Sequence, residues 1–211
     1  NPNPNPYPNV TLTLTLKAMA DKVLVKPDKM KQCQQNLRAS SKNATVRFML
    51  DKLQNIGCDV PHDFLRCSDC GGAQATGAFL GRLAAYSEDY KPAVEMCAVG
   101  LPEKIFTQML IHELVHAYDQ CAREIRWENP LQLACSEIRA ASLSGECGYG
   151  RELLRGNTSM QGRHQICVKR RAGMSVAMHH GDEVAKKAID KVFDSCYQDT
   201  APFERHPAHP Y

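Results

Sequence analysis

Residues 112–116 read His-Glu-Leu-Val-His and lie inside an apolar run with helical spacing. Ile105, Phe106, Met109 and Leu110, then Leu114, Val115 and Tyr118, recur at three- and four-residue intervals, which predicts a buried helix over about 103–120. Pro102 and Glu103 mark its start, a proline at the first helical position and an acid in the first turn. Two histidines and a glutamate inside such a helix constrain the whole fold, because they are costly to bury unless something satisfies them. Residues four apart share a helix face, so His112 and His116 can close on one metal ion. Glu113, rotated by about 100° from His112, lies beside that ion and within reach of a water in its open position. Neutral imidazoles suit zinc, and a carboxylate at Glu113 takes the proton from the attacking water. H-E-x-x-H fixes only three positions and recurs by chance. The apolar helical context points to a zinc-dependent hydrolase with Glu113 as general base.

Such a centre needs a third protein ligand, with water in the fourth position. Asp119 is near in sequence, but it lies most of a turn further along the axis, and no glycine after His116 folds the chain back. Its expected role is to orient a ligand histidine, or simply to end the helix. Glu137 is the stronger candidate. It falls on the next predicted helix, Leu131 to Leu143, with Ala134, Ala140 and Ala141 as its helical neighbours. A carboxylate on so small and apolar a face needs a metal or a cation such as Arg139. Glu146 and Asp182 are weaker options near helix ends. His164, His179, His180, His206 and His209 have no spacing that connects them to the metal and are expected at the surface.

Ten cysteines are spread along the body of the chain. Only Cys67-Ser68-Asp69-Cys70 has a metal-like spacing, and no second C-x-x-C completes a four-cysteine site. A disulfide framework in an oxidising compartment is the expectation, with the pairing open. Net charge is +3, from 26 basic and 23 acidic residues, too balanced to argue for nucleic acid or an anionic surface. Lys169-Arg170-Arg171 reads as a solvated helix face. No apolar run approaches the ~20 residues of a membrane span, and neither a secretory signal nor a presequence pattern is recognisable at the start. The expected organisation is a disordered or extended segment over 1–20, one metalloprotease domain over 21–201 and an irregular tail over 202–211. Within it, Cys33 to Ile56 reads as one helix, Gln161–His179 as a helix interrupted by Gly173, and Asp182 to Tyr197 as the last helix. Thr11 to Leu16 alternates like a short strand, and Ala93 to Val99, between Pro92 and Gly100, is the best strand candidate.

Longer strings are more specific than the five-residue motif. His112-Glu113-Leu114-Val115-His116-Ala117-Tyr118-Asp119-Gln120-Cys121 and Ala134-Cys135-Ser136-Glu137-Ile138-Arg139-Ala140-Ala141-Ser142-Leu143-Ser144-Gly145 resemble the mitochondrial inner-membrane metalloprotease and ATP synthase assembly factor family. Cys167 to Ala172, Glu183 to Ala188 and Val192 to Cys196 are also similar to that family, and the likeness covers about residues 46–206. Ala73 to Asp89 departs from it, with Thr76-Gly77-Ala78-Phe79 where a Gly-Gly-aromatic stretch is expected.

The resemblance implies a zinc endopeptidase of the intermembrane space, peripheral to the inner membrane and oxidised on import by the disulfide relay. It implies cleavage of the N-terminal leader of ATP synthase subunit a and assistance to assembly of the membrane sector. The alternative is a non-proteolytic assembly chaperone with a structural or dispensable zinc site. A nuclear Ku-binding role, also recorded in the family, finds no support in the charge pattern. The expected fold is α+β, a mostly helical, gluzincin-like zincin core with a small sheet, stapled by disulfides. His112, His116 and Glu137 would hold zinc. Ala93–Val99 would border the cleft, where an extended peptide adds as a further strand, and Tyr118 or Arg139 would assist the oxyanion.

Overall fold

The computed structural model describes residues 27–70, 77–80, 92–148 and 162–207, with the single positions 150 and 156. The expected strand at Thr11 to Leu16 and the whole 1–20 segment lie outside the described residues. Two helices open the described chain, α1 (Pro27–Ser40) and α2 (Ala44–Asn55), followed by strands β1 (Leu65–Ser68), β2 (Gly77–Leu80) and β3 (Ala93–Cys97). Four further helices are α3 (Glu103–Arg123), α4 (Pro130–Leu143), α5 (Arg163–His180) and α6 (Asp182–Gln198). The protein is thus mostly helical with one small three-stranded sheet.

Where Cys33 to Ile56 reads as one helix in the sequence, the structure has two. The side chain of Asn43 is the reason, since it accepts from the backbone N–H groups of Thr45 (2.9 Å) and Val46 (3.3 Å). Those donors have no partner inside a helix that starts at Ala44, so an asparagine there favours a fresh start over continuation. Gly173 does not interrupt α5, which runs unbroken past it. A lone glycine costs a helix only about 1 kcal/mol, and packing on one face outweighs that.

The strand order is β1-β3-β2, with β1 parallel and β2 antiparallel to β3. The strand expected at the cleft is therefore the central one, with a neighbour on each edge. Its run Ala93, Val94, Met96, Cys97 is buried on both faces, which suits a middle position. The edge toward α3 belongs to β2.

Apolar side chains form two clusters. One gathers Val46, Met49, Leu53, Val94, Met96 and Leu114 around α1, α2, the sheet and α3. The other gathers Leu133, Ile138, Val168, Val176, Ile189 and Phe193 around α4, α5 and α6. Helix α4 is buried almost all round and belongs to both, with Ala140 and Leu143 on the first side and Ala134 and Ala141 on the second.

All ten cysteines pair, as Cys33–Cys67, Cys58–Cys121, Cys70–Cys97, Cys135–Cys196 and Cys147–Cys167. Cys67 and Cys70 thus go to different partners rather than to a shared metal. Cys58–Cys121 ties the loop after α2 to the end of the motif helix across 63 residues of sequence. Replacing both cysteines by serine is expected to lower unfolding free energy by about 2–5 kcal/mol in denaturant titration, since the closed loop is long.

Candidate metal centre

The motif helix α3 starts after Pro102 with Glu103 in its first turn and continues to Arg123, seven residues beyond His116. His116 and Glu113 are buried and His112 is nearly so. Helix α4 crosses it, started by the Asn129 side chain accepting from Leu131 N (3.0 Å) and Gln132 N (3.4 Å), with Pro130 at its first position. Ala134, Ala140 and Ala141 are completely buried around Glu137. Ala140 packs in the cluster shared with α3, where its small side chain suits close approach of the two helices, while Ala134 and Ala141 pack on the side of α5 and α6.

The convergence is tight. His112 Nε2 lies 3.1 Å from His116 Nε2, Glu137 Oε2 lies 3.5 Å from His112 Nε2, and Glu137 Oε1 lies 3.6 Å from His116 Nε2. Zinc at about 2.0–2.1 Å from each donor in tetrahedral geometry needs donors about 3.3–3.4 Å apart. The two imidazole nitrogens and the Glu137 carboxylate therefore surround one point at about the right radius for that ion. Among the described residues, His112, His116 and Glu137 make up the metal-capable group.

The far sides of the rings fix their tautomers. His112 Nδ1 donates to Glu146 Oε1 (2.9 Å), and Arg171 donates to the other oxygen of that carboxylate (2.9 Å). His116 Nδ1 donates to Ser136 Oγ (2.8 Å), whose own proton goes to Asp119 Oδ2 (2.9 Å). With both Nδ1 atoms bonded outward, each ring turns its Nε2 toward the common point, where a neutral ring presents a lone pair and a protonated His112 would donate to His116 Nε2 or Glu137. Facing lone pairs beside a carboxylate call for a cation. Glu137 is itself steadied by Ser175 Oγ at 2.5 Å, and the Trp127 ring stands edge-on to His116 at 5.6 Å. Carboxylate- and hydroxyl-backed histidines are the usual support of a metal-binding imidazole.

Asp119 lies outside this group. Its oxygens meet Ser136, Arg139 and Arg123, so it stands behind the hydroxyl that His116 Nδ1 bonds. Burial pushes its carboxyl up, against the pull of Arg139, Arg123 and the Ser136 hydroxyl. Arg139 is also reassigned. It is fully buried, its Nε bonded to Asp119 at 3.0 Å and its Nη1 to the Asp199 carbonyl at 2.7 Å, so it is neither the partner of Glu137 nor an oxyanion donor. Tyr118 lines a separate cleft with Lys52 and Phe203 and does not face the three donors. Glu146, a weak ligand option from sequence, is the carboxylate behind His112. Asp182 begins α6 and is exposed. His164 and His206 are half-buried rather than superficial, with their rings edge-to-face at 5.3 Å and His206 Nε2 3.0 Å from Ser142 Oγ. His180 is half-buried too, His179 is exposed as expected, and His209 lies outside the described residues. Ser136, Ser175, Arg171 and Trp127 carried no signal in the sequence beyond their neighbourhood to site residues.

Glu113 follows His112 on α3 and is buried, with its stem against β2. A Cβ on Gly77 would come within 3.3 Å of Glu113 Cγ and 2.9 Å of Met96 Sδ. Glycine at that position gives the glutamate its room at the strand edge.

Protonation follows from these contacts. Burial drives His116 down to about 4, despite the carboxylates of Glu137 and Asp119. Burial lowers His112 too, but Glu146 and Glu137 outweigh it and leave it well above its ordinary value. Burial opposes ionisation of Glu137, yet His116 and His112 hold it down at about 2. In the metal-free protein at pH 6 the cluster then holds its proton on His112, while His116 is neutral and Glu137 ionised. Zinc binding at pH 6 should release about one proton, falling toward zero as pH rises through the raised value of His112. Titration calorimetry in buffers of different ionisation enthalpy reads this number.

Removing a donor and removing its support should differ in degree. Glu137→Ala should abolish stoichiometric zinc, whereas Glu146→Gln should weaken it by about 10–100-fold, as measured by chelator competition.

Fold and site together describe a disulfide-stapled helical protein with a two-histidine, one-glutamate donor set and an adjacent glutamate. The sequence profile of the Peptidase M76 family matches residues 31–204, and the chain belongs to that family. It is 37% identical over 182 residues to the mitochondrial inner membrane protease ATP23 homolog of Xenopus laevis, covering 83% of this chain and 74% of that protein. It is 35% identical over 176 residues to the human homolog, covering 81% and 68%. The mitochondrial inner membrane protease atp23 of Aspergillus niger is 38% identical over 165 residues, covering 75% and 65%. No solved structure matches the chain.

Proposed function

We propose that this protein is a zinc metalloendopeptidase of the zincin type. It acts in the mitochondrial intermembrane space at the face of the inner membrane, on the N-terminal leader of ATP synthase subunit a, and it assists assembly of the membrane sector. The observation that carries the catalytic part is the placement of three donors around one point with Glu113 next to them on the same helix. The peptidase family and relatives named as mitochondrial inner membrane proteases support the setting. Five disulfides fit an oxidising compartment. No described helix is long and apolar enough to cross a membrane, which fits peripheral attachment.

Zinc, when bound, would polarise the scissile carbonyl and acidify water. The chain's residues do the rest. His112, His116 and Glu137 hold the ion, and Glu146 and Ser136 keep the rings turned toward it. Glu113 accepts the proton of the attacking water and delivers it to the leaving amine, so its carboxylate ends the cycle unchanged. An extended peptide would lie along β2, whose backbone borders Glu113 at Gly77, and would extend the sheet by main-chain hydrogen bonds.

Glu113 also separates a protease from a chaperone with a merely structural ion, since a structural site needs no base beside it. Glu113→Gln should keep zinc at one equivalent and cut leader cleavage by about 10²–10⁴-fold, assayed on the subunit a precursor. Cleavage at the parent rate would rule out this mechanism. Loss of cleavage with ATP synthase still assembling would assign both roles to one protein.

A further inference from the structure

Helix α5 shows two different faces. Its inner side is committed to the metal centre and core, with Arg171 on Glu146, Ser175 on Glu137, and Cys167, Val168, Ala172 and Val176 buried. Its outer side carries Ile166, Met174 and Met178, which are 59%, 58% and 74% exposed. With Arg170 they form one row at four-residue intervals, about 18 Å long at 1.5 Å per residue. These are three of the six large apolar side chains exposed among the described residues, and a fourth, Val184, follows just past the turn at Gly181.

The charge on this helix has one sign. Its 18 residues include Arg163, Lys169, Arg170 and Arg171 and no acid. Lys169 and Arg170 are exposed beside the apolar row, and the Lys169 ammonium lies 4.4 Å over the Phe193 ring. The nearest acids in sequence, Asp182 and Glu183, come only after Gly181, at the start of α6. Read alone, Lys169-Arg170-Arg171 is a solvated face. Once Arg171 is seen to turn inward, what remains is a basic-edged row of exposed methionine and isoleucine.

From this we infer that the Ile166–Met178 face of α5 is the surface by which the protein lies on a membrane containing anionic lipid. The inference rests on the inner-membrane setting proposed above. A convex ridge with apolar side chains and flanking cations is what an interfacial helix presents, its apolar side sinking among the headgroups and its cations meeting lipid phosphates. A peptide site would be concave. Because Ser175 and Arg171 sit on the opposite side of this helix, docking there holds the metal centre one helix diameter from the lipid surface, about 10 Å. That is within reach of a chain segment just emerging from the bilayer.

The test is co-sedimentation of the full chain with vesicles of phosphatidylcholine alone or with about one fifth phosphatidylglycerol. The parent protein should bind the anionic vesicles, and should do so less at high salt. Ile166→Ser/Met174→Ser/Met178→Ser and Lys169→Glu/Arg170→Glu should each lose roughly tenfold or more of that binding, with zinc content unchanged and the melting temperature of the charge variant lowered only by the loss of the Lys169–Phe193 contact. If the parent binds and both variants bind equally well, the surface lies elsewhere, though the membrane setting stands. If the parent binds neither vesicle, the setting itself fails and the inference with it. Variants that keep vesicle binding but lose cleavage of the subunit a precursor would make the ridge a protein-docking surface and overturn the membrane assignment.

Discussion

Asp119 and Arg139 are both fully buried and bonded to each other, Asp119 on α3 and Arg139 on α4. A lone carboxylate in that position would be expelled or protonated, so the guanidinium is a condition for the carboxylate being there at all. Asp119 then accepts from Ser136, Ser136 accepts from His116, and the imidazole is turned so that its Nε2 faces the metal position. The remaining guanidinium donors hold the carbonyls of Asp199 and Ala201, pinning the chain after α6 against α4. Losing either member of such a pair costs about 3–5 kcal/mol, more than the pair itself contributes. The two charges are better understood as fixing an arrangement than as adding stability.

Around the metal position the charges are arranged in layers. Burial disfavours the ionised forms there, and Glu146 and Glu137 are each kept ionised by specific neighbours. Glu146 has His112 and Arg171, which hold it below its usual range despite burial. Glu137 has the two histidines and the Ser175 hydroxyl. Cations on the outside and acids within leave a centre that is short of positive charge where the three donors meet, which is the electrostatic counterpart of the geometry.

Periodic features of the sequence predicted well. The α3 run, the apolar face of α6 and the alanine-flanked Glu137 are all repeats of three or four residues, and such repeats report burial directly. Chemistry at the motif was legible because residue type and spacing together define a donor pair. What could not be read depended on contacts between distant segments. Glu146 and Asp182 look alike in sequence, both acids near helix ends, yet one is buried behind His112 and the other is exposed. Arg139 follows Glu137 by two residues and so points away from it on a helix, toward Asp119. The break at Asn43 rests on one side-chain cap, which helical spacing over Cys33 to Ile56 does not reveal. Ala93–Val99 reads as a strand and the structure has one over Ala93–Cys97, but its place in the middle of the sheet depends on β1 and β2, which are short and irregular in composition.

The five disulfides have a consequence for how the protein is put together. Cys33, Cys58, Cys67, Cys70, Cys97 and Cys121 bond only among themselves, and so do Cys135, Cys147, Cys167 and Cys196. The division falls between α3 and α4. His112, Glu113, His116 and Asp119 belong to the first covalent network, and Ser136, Glu137, Arg139 and Glu146 to the second. Oxidation can therefore lock each half without requiring the other, and nothing covalent except the main chain registers one against the other. That registration is left to the buried ion pair and the shared donors. The donor set draws on both networks, His112 and His116 from the first and Glu137 from the second, so it is complete only where the two halves are joined.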